Sequence, residues 1–417
     1  MNLKRKGWFL WAALAACGAP PAPGPAGLPE GAAIRPYKVR VDEAVIKDLR
    51  ARLARTRWPD AIPGSGWKYG VDLAYLRDLV EYWRTNFDWR AAERRLNAFD
   101  QFTSVIDGVE LHFIHQRSKH SKALPLVITH GWPGSVAEFL KVIGPLTDPE
   151  AHGGKAEDAF HVVCPSLPGF GFSGKPRDPG WNVPRMAEAI SVLMERLGYE
   201  RYGAQGGDWG RGVTEWLGRN DPRVVGIHMQ FPPGGPQPGA ADPNAGLTPE
   251  EIERMKRRGQ ELQDHRAYGA IQGTRPLTLG AGLNDSPAGL AAWVVDKFWA
   301  WSDHGGNLES SFTKDELLTN ITIYWVTETM PSSVRLYYES QHPGPPREGA
   351  RPRRPRNDVP AGVALFPKEI SVPPRKWVEK LYNLVHWTEM PRGGHFAAME
   401  QPQLYVDDVR KFFRGLR

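Results

Sequence analysis

The chain has 417 residues, with 41% hydrophobic and 24% charged side chains and with 44 Gly and 38 Pro. That length holds one large elaborated domain or two to three ordinary units, and the composition excludes wholesale disorder, a collagen-like fibre and a polytopic membrane protein. Two cysteines, Cys17 and Cys164, exclude a disulfide framework, and 53 Lys+Arg against 47 Asp+Glu give a net +6, whose meaning depends on where it sits.

Residues 1–16 read as a secretion signal: Lys4, Arg5 and Lys6 form a basic start, and Trp8 to Leu14 an apolar stretch too short to span a bilayer. The stretch ends in Leu14-Ala15-Ala16-Cys17-Gly18, which resembles the bacterial lipobox. Cys17 is therefore the expected lipid site, and the chain is expected to be exported, tied to the cell envelope by that lipid or secreted. A plain signal or an uncleaved anchor is the alternative. Residues 17–34 follow as a Pro-rich linker. A second basic cluster, Arg347 to Arg356, carries five Arg against Glu348, a net +4. With the +3 of residues 1–16 it accounts for more than the whole +6, so the rest sums to −1. No basic patch interleaved with aromatics remains to support a nucleic-acid partner.

From Tyr37 to about Asn97 the pattern is helical. Ile46, Leu49 and Leu53 share a face after Asp42, with Trp58-Pro59 as the stop. Leu76, Leu79, Val80 and Trp83 share another after Asp72, and Asp88 can cap a third helix that carries Leu96. Helices of this kind need a partner surface, so residues 35–100 read as an extension. From residue 101 strands and helices alternate. Val105 to Leu111 reads as a hairpin around Asp107-Gly108, followed by strands at 124–129, 160–164, 202–205, 224–229, 363–366 and 385–390, a helix through Met186, Ile190, Leu193 and Leu197, and a last helix near 403–413. This order predicts an α/β protein with a mostly parallel sheet covered on both faces, built from 101–230 and 356–417. Between them, 231–355 is helical and Trp-rich and is expected to sit as a lid over the strand ends, where such sheets bind ligands.

The chemistry centres on Gln205-Gly206-Gly207-Asp208-Trp209-Gly210. Small residues around one reactive side chain, between a strand and a helix, meet the steric requirement of a nucleophile elbow, here with Asp rather than Ser. A carboxylate displaces at saturated carbon and leaves an alkyl ester on the protein, so epoxides and haloalkanes fit and amides do not. The plain alternative is a surface turn with Asp208 as a helix cap. Upstream, His130-Gly131-Trp132-Pro133-Gly134-Ser135 follows a strand, and a backbone N–H there can join that of Trp209 in an oxyanion hole. Downstream, Gly393-Gly394-His395-Phe396 places His395 as the candidate base, and Glu369 follows the preceding strand as its carboxylate partner; Asp358 and Glu389 are weaker choices.

These motifs resemble those of the microsomal-type epoxide hydrolases, which include the juvenile-hormone epoxide hydrolases, from about Ile34 to the C-terminus. Besides the segments quoted, Arg57-Trp58-Pro59, Trp83-Arg84, Pro165 to Ser173, Leu283-Asn284-Asp285-Ser286-Pro287-Ala288-Gly289-Leu290 and Arg392 to Ala398 carry the resemblance. It implies the α/β-hydrolase fold, with Asp208 as nucleophile, His395 as base, Glu369 as its acid partner, and Trp132 and Trp209 at the oxyanion hole. It also implies two lid tyrosines that hold the epoxide oxygen, Tyr268 and Tyr337. Tyr338 adjoins Tyr337, and only one of the two can face the site. A phenol suits the task, since the alkoxide of an opening epoxide needs a proton and a phenol of pKa ~10 keeps one at neutral pH.

The expected activity is cofactor-independent hydrolysis of a small apolar epoxide by water to a vicinal diol, with no metal. A haloalkane dehalogenase, which shares the Asp-Trp pair, and a lipid-anchored binding protein without activity are the alternatives. His112 and His115 have metal-like spacing, but on a strand they point to opposite faces. Trp293, Trp299, Trp301 and Trp325 read as lid core that can also line an apolar pocket.

Overall fold

The computed structural model describes residues 33–236, 242–345 and 357–417. The basic start, Cys17 and the Arg347–Arg356 cluster lie outside the described residues. One nine-stranded sheet runs through the molecule in the order β1-β2-β3-β5-β4-β6-β7-β8-β9. Its strands are β1 (Arg35–Tyr37), β2 (Gln101–Ile106), β3 (Val109–Gln116), β4 (Leu124–Thr129), β5 (Phe160–Pro165), β6 (Tyr202–Gly206), β7 (Val224–Met229), β8 (Asn357–Leu365) and β9 (Tyr382–Glu389). β1, β2, β3 and β5 pair antiparallel, and all pairs among β4 to β9 are parallel. The β2–β3 turn is Asp107-Gly108, both with positive φ, as a two-residue hairpin loop requires. Every residue of β5 and β6 is buried. Helices on both faces therefore cover the centre of the sheet, which is why those strands read as continuous apolar runs.

The first helix, Glu43–Ala54, starts where Asp42 accepts from the Ala44 N–H and buries Ile46, Leu49 and Leu53. It ends at Ala54, four residues ahead of Trp58-Pro59, because Thr56 Oγ1 caps the Leu53 carbonyl. Tyr37, taken above as the edge of a helical segment, instead ends β1, whose partners come from β2 sixty-odd residues away. The second helix, Leu73–Thr85, buries Leu76, Leu79, Val80 and Trp83, each contributing about 2 kcal/mol by removal of apolar surface from water. A third, Trp89–Leu96, follows. These helices lean on the segment inserted between β7 and β8: Arg52 pairs with Asp285, Tyr82 Oη donates to Asp315, and Lys314 pairs with Asp78.

That insertion holds the helices Pro249–Glu261, Ala267–Thr274, Pro276–Asp285, Pro287–Trp301, Lys314–Thr327 and Met330–Gln341. Its tryptophans divide: Trp299 stacks on Trp67 at 4.1 Å, Trp293 donates to Gln272, Trp325 lies under Arg52, and Trp301 reaches the sheet's carboxyl edge against His395. His112 and His115 part company, as their spacing predicts. The first bridges Ser166 and Gln101 and the second bonds Tyr199. Cys164 is buried and free.

Candidate active site

Four segments leave the carboxyl ends of β4, β6, β8 and β9 and meet over that edge of the sheet. After β6 the chain turns into the helix Asp208–Asn220. A Cβ on Gly210 would fall 2.1 Å from the Thr129 carbonyl oxygen and one on Gly206 2.4 Å from that of Gly210, so the turn closes only with glycine at both places. Asp208 pays for the tightness with φ +49, a left-handed conformation that costs a non-glycine residue about 1–2 kcal/mol. Strain of this kind persists where the surroundings fix it, and it aims the carboxylate off the sheet edge.

Two groups meet that carboxylate. The Trp132 N–H donates to Asp208 Oδ1 at 2.8 Å, and His395 Nε2 lies 3.5 Å from Oδ2. Trp209, next in the chain, opens the first turn of the helix, where amides have no intrahelical acceptor. On its far side the His395 ring is held by Glu369, whose Oε1 is 2.5 Å from Nδ1 and also accepts from the Ile370 N–H at 2.7 Å. Glu369 is fully buried and His395 nearly so. Burial works against the imidazolium, yet Glu369 and Asp208 outweigh it and hold His395 well above the ordinary histidine range. The other two acid candidates are elsewhere: Asp358 is exposed on β8, and Glu389, exposed at the end of β9, pairs with Arg254.

Two tyrosines of the insertion come down over this group. Tyr268 stacks on Trp132 with centroids 5.5 Å apart, and Tyr337 stands edge-on to Trp132 and Trp209 at 5.8 and 4.8 Å. Their own rings are 5.9 Å apart. Tyr338 turns outward, 38% exposed, and stacks on His342. Burial first, and then the Asp208 charge, push the Tyr268 phenol well up; for Tyr337, burial, Tyr268 and Asp208 do the same. Both therefore keep their protons at neutral pH. With Trp301 and Phe231 against His395, the walls are aromatic, as suits an apolar ligand. A carboxylate, a histidine–carboxylate pair, an oxyanion donor and two phenols in one apolar cleft can support nucleophilic displacement followed by hydrolysis.

Sequence reading did not find what secures the 131–135 turn. Asn320 Nδ2 donates to the Pro133 carbonyl at 2.8 Å and its Oδ1 accepts from Ser135 Oγ at 2.7 Å, while Tyr324 Oη donates to the Gly134 carbonyl at 2.6 Å. It also passed over Glu138 and Glu400, two buried carboxyls beside the site. Burial pushes Glu400 up to about 7, against the N–H donors of Asp303 and Phe396. The one available signal was a glutamate inside the apolar stretch Val136–Phe139.

A family profile described as the epoxide hydrolase N terminus matches residues 34–139, and one described as the alpha/beta hydrolase fold matches 125–282. A Stigmatella aurantiaca protein described as a "putative epoxide hydrolase" is 49% identical over 92% of this chain and 86% of its own length. Epoxide hydrolase 1 of Sus scrofa is 38% identical over 93% and 91%. Among solved structures, juvenile hormone epoxide hydrolase of Bombyx mori superposes with a TM-score of 0.83 at 30% identity, covering 93% of this chain and 95% of that one. Aspergillus niger epoxide hydrolase gives 0.82 at 30%, covering 94% and 99%. With the sheet, the insertion and the site geometry in place, the chain belongs to the epoxide hydrolase family of α/β-hydrolase fold.

Proposed function

We propose that the chain hydrolyses small apolar epoxides to vicinal diols through an alkyl ester on Asp208. The observation that carries this reading is the Asp208 carboxylate held between the Trp132 N–H and His395 Nε2, beneath two protonated phenols. In the first step an Asp208 oxygen forms a bond to one epoxide carbon, the ring C–O bond breaks, and the oxygen it frees takes a proton from Tyr268 or Tyr337. In the second, water attacks the ester carbonyl and gives a proton to His395 Nε2, whose charge Glu369 offsets. The Trp132 and Trp209 amides stabilise the developing oxyanion. Collapse releases the diol, whose oxygen takes the proton of the new carboxyl so that Asp208 is again a carboxylate, and the proton gained through His395 replaces the one the tyrosine gave.

The two-step route fixes where oxygen goes. One turnover of excess enzyme with styrene oxide in ¹⁸O-water is expected to leave the diol unlabelled and to place the label in Asp208, read by peptide mass spectrometry. Label in the first-turnover diol would mean direct attack by water and would sink the ester.

The N-terminal residues support a second part of the proposal: export, with a lipid on Cys17 that tethers the catalytic body to a membrane through the Pro-rich linker. Cys17→Ala is then expected to move the protein from the membrane fraction to the soluble one. A wild-type chain recovered soluble with an unmodified Cys17 would refute the tether.

A further inference from the structure

The turn that holds Asp208 holds a second carboxyl. Trp132 N–H donates to Asp208, and the amide just before it, that of Gly131, acts on Glu138 and draws its pKa down. A Cβ on Gly131 would fall 2.3 Å from Asp208 Oδ1, and one on Gly134 would fall 1.4 Å from Glu138 Oε1. Both carboxyls thus lie on the same few backbone atoms, in space that only missing side chains leave open. Glu138 comes from the one-turn helix Val136–Phe139 and is 7% exposed, and the neighbouring Lys141 pairs with Glu316 instead of with it. Burial pushes it up to about 8, with His395 drawing it down and Asp208 pushing it up. A buried carboxyl without a cationic side chain paired to it is costly to keep, so its place beside the reacting groups calls for a use.

The two-step reading leaves one task unassigned. His395 Nε2 can take one hydrogen of the attacking water, but a water held at one point can rotate, and its lone pair must be aimed at the Asp208 carbonyl carbon. His395 itself is already oriented by Glu369. We infer that Glu138 positions the hydrolytic water, its carboxyl accepting the second hydrogen while His395 accepts the first. Ester formation needs no water, so Glu138 matters to the second step alone. The inference rests on the Asp208 ester proposed above.

The test follows both steps in one experiment. Wild type, Glu138→Gln and Glu138→Leu are mixed with styrene oxide, quenched at successive times, and assayed for the adduct on Asp208 by mass spectrometry, with thermal midpoints measured alongside. Ester formation is expected to stay within about threefold of wild type, while ester decay slows roughly tenfold in Glu138→Gln and about 10²-fold in Glu138→Leu. If Leu prevents folding, the Gln variant decides alone. Decay at the wild-type rate in the variants, or formation and decay slowing in parallel with a lowered midpoint, would overturn the inference and leave the ester standing. No adduct in the wild type would overturn the ester itself, and the inference with it.

Discussion

A His395→Gln enzyme is expected to consume about one epoxide per chain and then stop, with the alkyl group held on Asp208 and diol release down by about 10⁴-fold. The reason lies in how the two ends of the imidazole are used. Nδ1 is committed to Glu369 and Nε2 faces Asp208, so in the free enzyme His395 carries a proton and forms an ion pair with the Asp208 carboxylate. Alkylation turns that carboxylate into a neutral ester and removes one of the two charges that raise the histidine's pKa. The imidazole then loses its proton more readily and becomes a base at the moment a base is needed. The sign for pH follows. As pH falls through the histidine pKa of the ester form, hydrolysis slows while ester formation continues, so wild type at low pH should resemble His395→Gln at neutral pH. Quenched samples assayed for the Asp208 adduct across pH would show this. A His395→Gln enzyme that releases diol at the wild-type rate would remove the histidine from the mechanism.

The second large effect is expected at the tyrosines. Tyr268→Phe and Tyr337→Phe should each slow ester formation by about 10²-fold, and the double variant by more, because the freed epoxide oxygen then leaves as an unprotonated alkoxide into an apolar cleft. Decay of any ester formed should change little. Stopped-flow quenching of the nearby tryptophans, Trp132 and Trp209, would report the first step separately. Tyr338→Phe, on the outward ring, should be silent. The same variants divide epoxide from halide chemistry, since a departing halide needs N–H donors but no proton. A double Phe variant with undiminished epoxide opening would remove the two tyrosines from the mechanism.

Much of this was legible in the sequence because it is local. The elbow at 205–210 is a run of small residues whose steric reason is visible in the letters, and Asp42 and Asp72 announce the helices they begin. The chain order of Asp208, Glu369 and His395 follows from strand order alone. The parts that were not legible depend on distance. β1 is three residues long and exists only because β2 pairs with it. Asn320 and Tyr324 lie on a helix whose buried face reads as ordinary core, and their partners at 133–135 are more than 180 residues away. Glu138 lies on a four-residue helix too short to show a face in the sequence, and the room for its carboxyl comes from Gly134, where a Cβ would fall 1.4 Å from Oε1.

The three hydrogen bonds between the 133–135 turn and Asn320 and Tyr324 also limit how such an enzyme can be altered. The insertion forms the roof of the cleft and also clamps the floor loop from which Trp132 offers its N–H. Exchanging it wholesale for the insertion of another α/β hydrolase would change the pocket and unfasten the oxyanion donor in one stroke. New substrate ranges are better sought in side chains that line the cleft, such as Phe231, with the helix Lys314–Thr327 kept intact as part of the catalytic floor.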